Sequence, residues 1–130
     1  GGIPEDRSLI VGIHLAGIRE FAIVMHTDCG NCLAKQRITA IAGNLENSLP
    51  PAAYRHLRDR IGDPWPDALV QYLRAFDDPA VAVAEAVKAL RANPIVPSDA
   101  IIHGLVYTLA TAALEVVVNG YVTHEGGGEN

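Results

Sequence analysis

The pattern of apolar and polar positions changes abruptly after residue 25. Residues 21–25 are an uninterrupted apolar run, which predicts a short strand buried on both faces, as in a parallel sheet. The residues that follow the run are His26, Thr27, Asp28, Cys29, Gly30, Asn31 and Cys32. Open α/β sheets bind their ligands beyond the carboxyl ends of such strands, so these residues are the first candidates for chemistry.

Apolar residues recur at helical spacing both before and after this predicted strand. Before it, the spacing predicts a helix over residues 4–16. After it, the spacing predicts a helix over residues 30–42, with Asp28 as its cap and Gly43 at its end.

The middle of the chain contains several prolines, and this pattern predicts short helices joined by turns. Helices are predicted over residues 52–61, from residue 67 and from residue 79. Asp78 is a side-chain cap for the last of these helices, with Pro79 at its first position. Trp65 stands between two prolines and is interpreted as a loop anchor that packs on the helical layer.

Two runs rich in β-branched residues, 100–109 and 114–118, predict an antiparallel hairpin that extends the same sheet. His103 in the first run is interpreted as a structural or interfacial residue. The pattern as a whole indicates an α/β fold with a single domain over residues 1–125, followed by a disordered polar tail at residues 126–130.

Composition limits the classes of partner. The chain has 130 residues, of which 49% are hydrophobic, so it can bury a core. Aromatic residues make up 5%, and the net charge is −5 with scattered basic residues, which argues against nucleic acid and anionic membranes as partners. There is neither an apolar run long enough to span a bilayer nor a signal-peptide pattern, so we expect a cytoplasmic protein.

His26 and Cys29 are the strongest candidates for metal ligands. Imidazole nitrogen and thiolate sulfur are both zinc ligands, and the strand end would hold the two side chains in place. The alternative is a buried cysteine that acts as a small hydrophobic residue beside a histidine. Cys29 and Cys32 also have the Cys-x-x-Cys spacing of thiol–disulfide exchange sites, which is a further alternative.

The block of residues 25–30, Met-His-Thr-Asp-Cys-Gly, resembles the zinc-binding strand end of the β-class carbonic anhydrases. Other segments resemble the same family in the same order along the chain. These segments are Gly1-Gly2, the stretch Arg7-Ser8-Leu9, residues 17–20, residues 93–97, residues 103–107 and residues 114–116. The block at residues 25–30 is the most specific of them.

The resemblance implies a β-carbonic-anhydrase-like, mainly parallel sheet flanked by helices, with a C-terminal antiparallel hairpin. It implies a zinc lyase that reversibly hydrates CO₂ to bicarbonate by zinc-bound hydroxide, with Zn²⁺ as cofactor. His26 and Cys29 would be two of the three protein ligands. From its position, Asp28 is either a hydrogen-bond partner of a zinc ligand or of zinc-bound water, or the cap of the following helix. The resemblance also implies a homodimer or a higher homo-oligomer.

The chain departs from the family pattern in two ways. The family's other zinc ligand is the cysteine of a Cys-x-Asp-x-Arg block on a strand before the double glycine, and the 130 residues contain no such block. The resemblance thus implies that N-terminal strands of the family's sheet are missing from this chain. The second departure is Cys32, which is either a third ligand or a small core residue. Two alternatives follow: a non-catalytic assembly or regulatory protein, and a relative that hydrolyses COS or CS₂.

Overall fold

The computed structural model describes residues 5–122, and within them the chain forms six helices and three strands. Gly1-Gly2 and residues 126–130 lie outside this range. In chain order the elements are α1 (Asp6–His14), β1 (Glu20–His26), α2 (Gly30–Gln36), α3 (Ile38–Ser48), α4 (Pro51–Ile61), α5 (Asp67–Tyr72), α6 (Pro79–Ala92), β2 (Ile101–Thr108) and β3 (Ala113–Val118).

Internal contacts divide the chain into two compact units. The first unit contains α1, β1, α6, β2 and β3, and the second spans Asp28–Asp77 and contains α2 to α5. A single domain over residues 1–125 stays a prediction. No helix within residues 5–122 has the length and apolar character needed to cross a bilayer.

The first unit is built on a three-stranded sheet in the order β1-β2-β3. β1 runs parallel to β2, with Glu20 opposite Ile101 and His26 opposite Tyr107. β2 and β3 pair in antiparallel fashion. The predicted C-terminal hairpin, and its extension of the sheet that holds the apolar run, are therefore confirmed.

The prediction that β1 is buried on both faces is wrong. Its side chains alternate: Ile23 and Met25 are buried, whereas Val24 is 50% exposed. Ile23 pairs with Gly104, and a side chain at Gly104 would point at Val83 and Val87 of α6, so α6 covers the face that holds Ile23. Val24 lies on the opposite face. A run of five apolar residues does not reveal this difference, because each of them suits a buried position.

Gly104 allows α6 to pack closely against β2. A Cβ at this position would lie 3.0 Å from Val87 Cγ2 and 3.3 Å from Val83 Cγ2. α6 begins as predicted, because the Asp78 carboxylate accepts a hydrogen bond from the Ala80 amide at 2.8 Å. Its buried residues include Val83 and Val87, and Ile102 of β2 is also fully buried in the core of this unit.

In the second unit, one predicted helix is wrong and two others are confirmed. The helix predicted over residues 30–42 is two helices, because the backbone at Arg37 leaves helical geometry with φ −114° and ψ 25°. α3 then continues through Gly43 to Ser48, since one glycine in a helix costs only about 1 kcal/mol. α4 and α5 lie where the sequence predicts them. Trp65 packs on α4, as expected of a loop anchor.

Gly120 packs directly against the backbone of β2. A Cβ at this position would lie 2.5 Å from the carbonyl oxygen of Ile102 and 2.8 Å from its backbone nitrogen and carbonyl carbon. Atoms at such distances overlap, and all three belong to the backbone of a buried strand. Only glycine fits here.

We expect Gly120→Ala to destabilise the protein by about 1–3 kcal/mol, because the added methyl group forces the segment after β3 away from β2. Gly43→Ala is the matched control. Gly43 lies inside α3 with nothing within 4 Å of an added Cβ, so this change should stabilise by about 0.5–1 kcal/mol. Urea unfolding of the three proteins measures both effects. Equal stability of Gly120→Ala and wild type would refute the close approach.

Candidate metal site

His26 ends β1 with its imidazole exposed and its tautomer fixed by one hydrogen bond. Nδ1 lies 2.8 Å from the carbonyl oxygen of Thr27. A carbonyl oxygen only accepts, so Nδ1 carries the proton and donates it. In the neutral ring Nε2 then keeps its lone pair, which is the form that binds a metal. Nε2 is therefore the ring nitrogen of His26 that has no hydrogen-bond partner within residues 5–122.

Thr27 links the end of β1 to the end of β2 by two hydrogen bonds. Its amide donates to the carbonyl oxygen of Tyr107 at 3.0 Å, and its hydroxyl accepts from the amide of Leu109 at 3.0 Å. The carbonyl of the same residue holds His26, so these bonds also position the imidazole. The sequence does not predict this role of Thr27. Its signal was a hydroxyl residue directly after a predicted strand, but the partners lie about 80 residues away.

Asp28 does not cap α2, so that prediction is wrong. The N-cap residue is Cys29, and it makes no side-chain capping bond. Asp28 instead has a φ of 53°, in the left-handed region that aspartate tolerates better than most residues. A hydrogen bond between Asp28 and a zinc ligand or zinc-bound water stays a prediction.

The Cys29 thiol is half-buried and has no hydrogen-bond partner within residues 5–122. It forms no disulfide. Its sulfur is thus available to a metal. Cys29 belongs to the second unit, which begins at Asp28, whereas His26 ends the strand β1 of the first unit.

Cys32 has other contacts. Its thiol lies 3.7 Å from the carbonyl oxygen of Asp77, to which it donates a weak hydrogen bond, and the Asp77 carboxylate pairs with Lys35. Across the described range 5–122 there is no group of three or more histidine, cysteine, aspartate or glutamate side chains that could hold a metal. The role of Cys32 as a third ligand stays a prediction.

A second polar cluster lies at the opposite end of β1. His103 Nε2 is 2.9 Å from Glu20 Oε1, and the Gly120 amide donates to His103 Nδ1 at 3.0 Å. Because Nδ1 accepts, Nε2 carries the proton and donates it to Glu20. Both ring nitrogens are occupied, which leaves no lone pair for a metal. The interpretation of His103 as structural is confirmed.

Tyr121 completes this cluster. Its hydroxyl donates to Glu20 Oε1, and its ring meets the His103 ring edge-on with centroids 4.7 Å apart. The hydrogen bonds from Tyr121 and then from His103 hold the pKa of Glu20 below its usual range. The bond to Glu20 raises the pKa of Tyr121. The sequence pattern does not predict this contact, because Glu20 and Tyr121 are 101 positions apart.

These shifts predict how pH affects the Glu20–Tyr121 bond. A lowered pKa means that the contribution of Glu20 to stability is complete above its ordinary pKa of 4.5 and is lost as pH falls through the lower folded value. A raised pKa means that the contribution of Tyr121 is complete below 10.0 and is lost as pH rises through the higher folded value.

A ¹³C-tyrosine NMR titration should find that Tyr121 deprotonates above pH 10.0. In Glu20→Gln its pKa should return towards 10.0, because the anionic acceptor is lost. Glu115→Gln, which removes an exposed carboxylate from β3, is the control and should leave the curve unchanged. If Tyr121 titrates alike in wild type and Glu20→Gln, the bond does not form in solution.

Two proteins of Bacillus subtilis strain 168, provisionally named carbonic anhydrases, are similar to this chain. YvdA is 30% identical over 121 residues, which cover 90% of this chain and 56% of YvdA. YtiB is 25% identical over 117 residues, which cover 88% of this chain and 58% of YtiB. The chain therefore spans less than two thirds of the length of these relatives. No protein-family model matches it.

Solved structures show the same fold. The β-carbonic anhydrase isoform TvaCA1 of Trichomonas vaginalis superposes with a TM-score of 0.70 and 26% identity, over 91% of this chain and 61% of TvaCA1. The apo form of a carbon disulfide hydrolase superposes with a TM-score of 0.56 over 100% of this chain and 67% of the hydrolase. At 24% identity, the second likeness concerns the fold alone.

Proposed function

Because the chain resembles the β-class carbonic anhydrases in sequence and in fold over most of its length, we propose that it serves in a zinc-dependent carbonic anhydrase that interconverts CO₂ and bicarbonate. The observation that carries the proposal is the His26 tautomer. Its Nδ1 donates to the Thr27 carbonyl, and this leaves Nε2 ready to bind a metal.

His26 Nε2 and Cys29 Sγ would hold the Zn²⁺. An imidazole nitrogen with a thiolate sulfur is a donor set that suits zinc, and neither atom has another partner within residues 5–122. Bound zinc supplies a water molecule with a lowered pKa, as hydration at neutral pH requires. By the family resemblance, a further ligand comes from the Cys-x-Asp-x-Arg block, which these 130 residues do not contain.

The chain's own residues orient the site. Thr27 binds Tyr107 and Leu109 of the first unit, which fixes the carbonyl that in turn holds the imidazole of His26. A ligand whose ring is held by a second partner loses less freedom on binding metal, and it presents one nitrogen only. Thr27 is thus a positioning residue in this proposal.

The second candidate is a non-catalytic assembly or regulatory protein of the same fold. The observation that favours it is the ligand count, because residues 5–122 form no group of three metal-binding side chains. A catalytic zinc takes about three protein ligands. A protein of this kind would bind zinc weakly or not at all and would not turn over CO₂, COS or CS₂.

A homodimer or higher homo-oligomer is also part of the proposal. Val24 and Val116 lie on the sheet face opposite α6 and are 50% and 58% exposed, and Leu105 lies between them. Exposed apolar surface of this kind marks an interaction site. A second copy of the chain would cover this face, and we expect such an assembly in the cytoplasm.

Zinc content separates the candidates. We expect the wild-type chain to retain zinc through dialysis, and His26→Ala and Cys29→Ser each to lose it, because each removes one of two donors. Cys32→Ser is the matched control and should retain zinc, since its thiol contacts the Asp77 carbonyl instead. Metal analysis of the four proteins, with urea unfolding to verify the fold, is the measurement.

Stopped-flow assays with CO₂, and parallel assays with COS and CS₂, then test turnover on the same samples. Hydration of CO₂ by the wild-type chain, lost in both donor variants, supports the carbonic anhydrase. Weak or absent zinc binding, together with no turnover of any of the three substrates, favours the non-catalytic candidate. Wild-type protein that binds no zinc at all overturns the proposal.

A further inference from the structure

The second unit contains a groove that the proposed zinc chemistry does not use. One stripe of α4 lines it with Pro51, Tyr54, Arg55, Arg58 and Asp59, and Glu46 near the end of α3 forms another part of its wall. Its volume is about 590 Å³, which is in the range of small-molecule sites.

The floor of this groove is held by a set of contacts around Arg58. Its Nη2 donates to Asp63 Oδ1 at 3.1 Å, and its guanidinium lies 4.8 Å from the centre of the Trp65 ring. Tyr54 meets the same ring edge-on at 6.2 Å. The charge of Arg58 is thus balanced by Asp63, and its position is fixed by an aromatic face.

Three other charged side chains of the groove have no partner. Arg55, Glu46 and Asp59 make no side-chain hydrogen bond or ion pair with any residue in the range 5–122. Together with the Arg58–Asp63 pair they give the groove a net charge of −1, which disfavours phosphate and nucleotides. One cation, Arg55, and two anions, Glu46 and Asp59, therefore remain for a ligand to pair with.

We propose that this groove binds a free basic amino acid, L-arginine or L-lysine. Such a molecule carries one carboxylate and two cationic groups, which is the complement of the unpaired charges. The carboxylate would pair with Arg55, and the two cations with Glu46 and Asp59. Pro51 and Tyr54 offer apolar surface to the methylene stem. The inference does not depend on zinc binding.

Trp65 is the single tryptophan of the chain and contacts Arg58, which lines the groove, so its fluorescence reports on occupancy. Titration with L-arginine should give a saturable change with a Kd on the order of 1 mM, as expected for a small ligand in an open groove. Agmatine lacks the carboxylate and should bind about fivefold or more weakly, because Arg55 is left unmatched. Inorganic phosphate should give no saturable change.

Variants locate the ligand. Arg55→Gln and Glu46→Gln should each weaken L-arginine binding by about fivefold, which is the scale of one exposed ion pair. Arg60→Gln on the same helix is the matched control, because Arg60 does not line the groove. Saturation-transfer NMR on L-arginine detects binding that does not change Trp65 fluorescence. The proposal is overturned if both methods find no binding, if Arg55→Gln and Arg60→Gln bind alike, or if phosphate binds more tightly than L-arginine.

Discussion

The parallel pairing of β1 with β2 is the constraint on which the rest of the first unit depends. Its register, from Glu20 opposite Ile101 to His26 opposite Tyr107, sets the partners at both ends of β1. At the carboxyl end it brings Thr27 to the carbonyl of Tyr107, and Thr27 then fixes His26. A shift by one residue would turn every side chain of β1 to the other face and remove these bonds.

The same register creates the polar cluster at the other end of β1. Glu20 reaches His103 only because Ala22 and His103 are opposite each other. The Gly120 amide and the Tyr121 hydroxyl then hold the segment after β3 against the sheet. The two ends differ in chemistry for one reason. Both ring nitrogens of His103 make hydrogen bonds within the protein, whereas in His26 only Nδ1 does so among the described residues.

The sequence predicts the helices and strands of this fold better than it predicts which side chains are buried or where the backbone breaks. The strand at residues 21–25 and the C-terminal hairpin are confirmed. They were predictable because short runs of β-branched and apolar residues favour strands whatever their distant partners. The exposure of Val24, the break at Arg37 and the left-handed Asp28 are not visible in the pattern, since each is decided by packing or by a single backbone angle.

The candidate site is likewise predictable in part from the sequence. His26 and Cys29 stand out in the sequence because their residue types and spacing suit zinc, and because the block around them resembles a known zinc site. The role of Thr27 depends on partners about 80 residues away, which no local pattern encodes. The tautomer of His26 depends on the direction of the neighbouring Thr27 carbonyl, which the sequence does not give.

Zinc binding through His26 and Cys29 is tested most directly by X-ray absorption at the zinc edge of the metal-loaded chain. We predict a sulfur neighbour at about 2.3 Å and a nitrogen neighbour at about 2.0–2.1 Å. The sulfur signal should disappear in Cys29→Ser and persist in Cys32→Ser. A shell of oxygen and nitrogen alone in the wild type, or a sulfur signal that survives Cys29→Ser, would contradict the assignment.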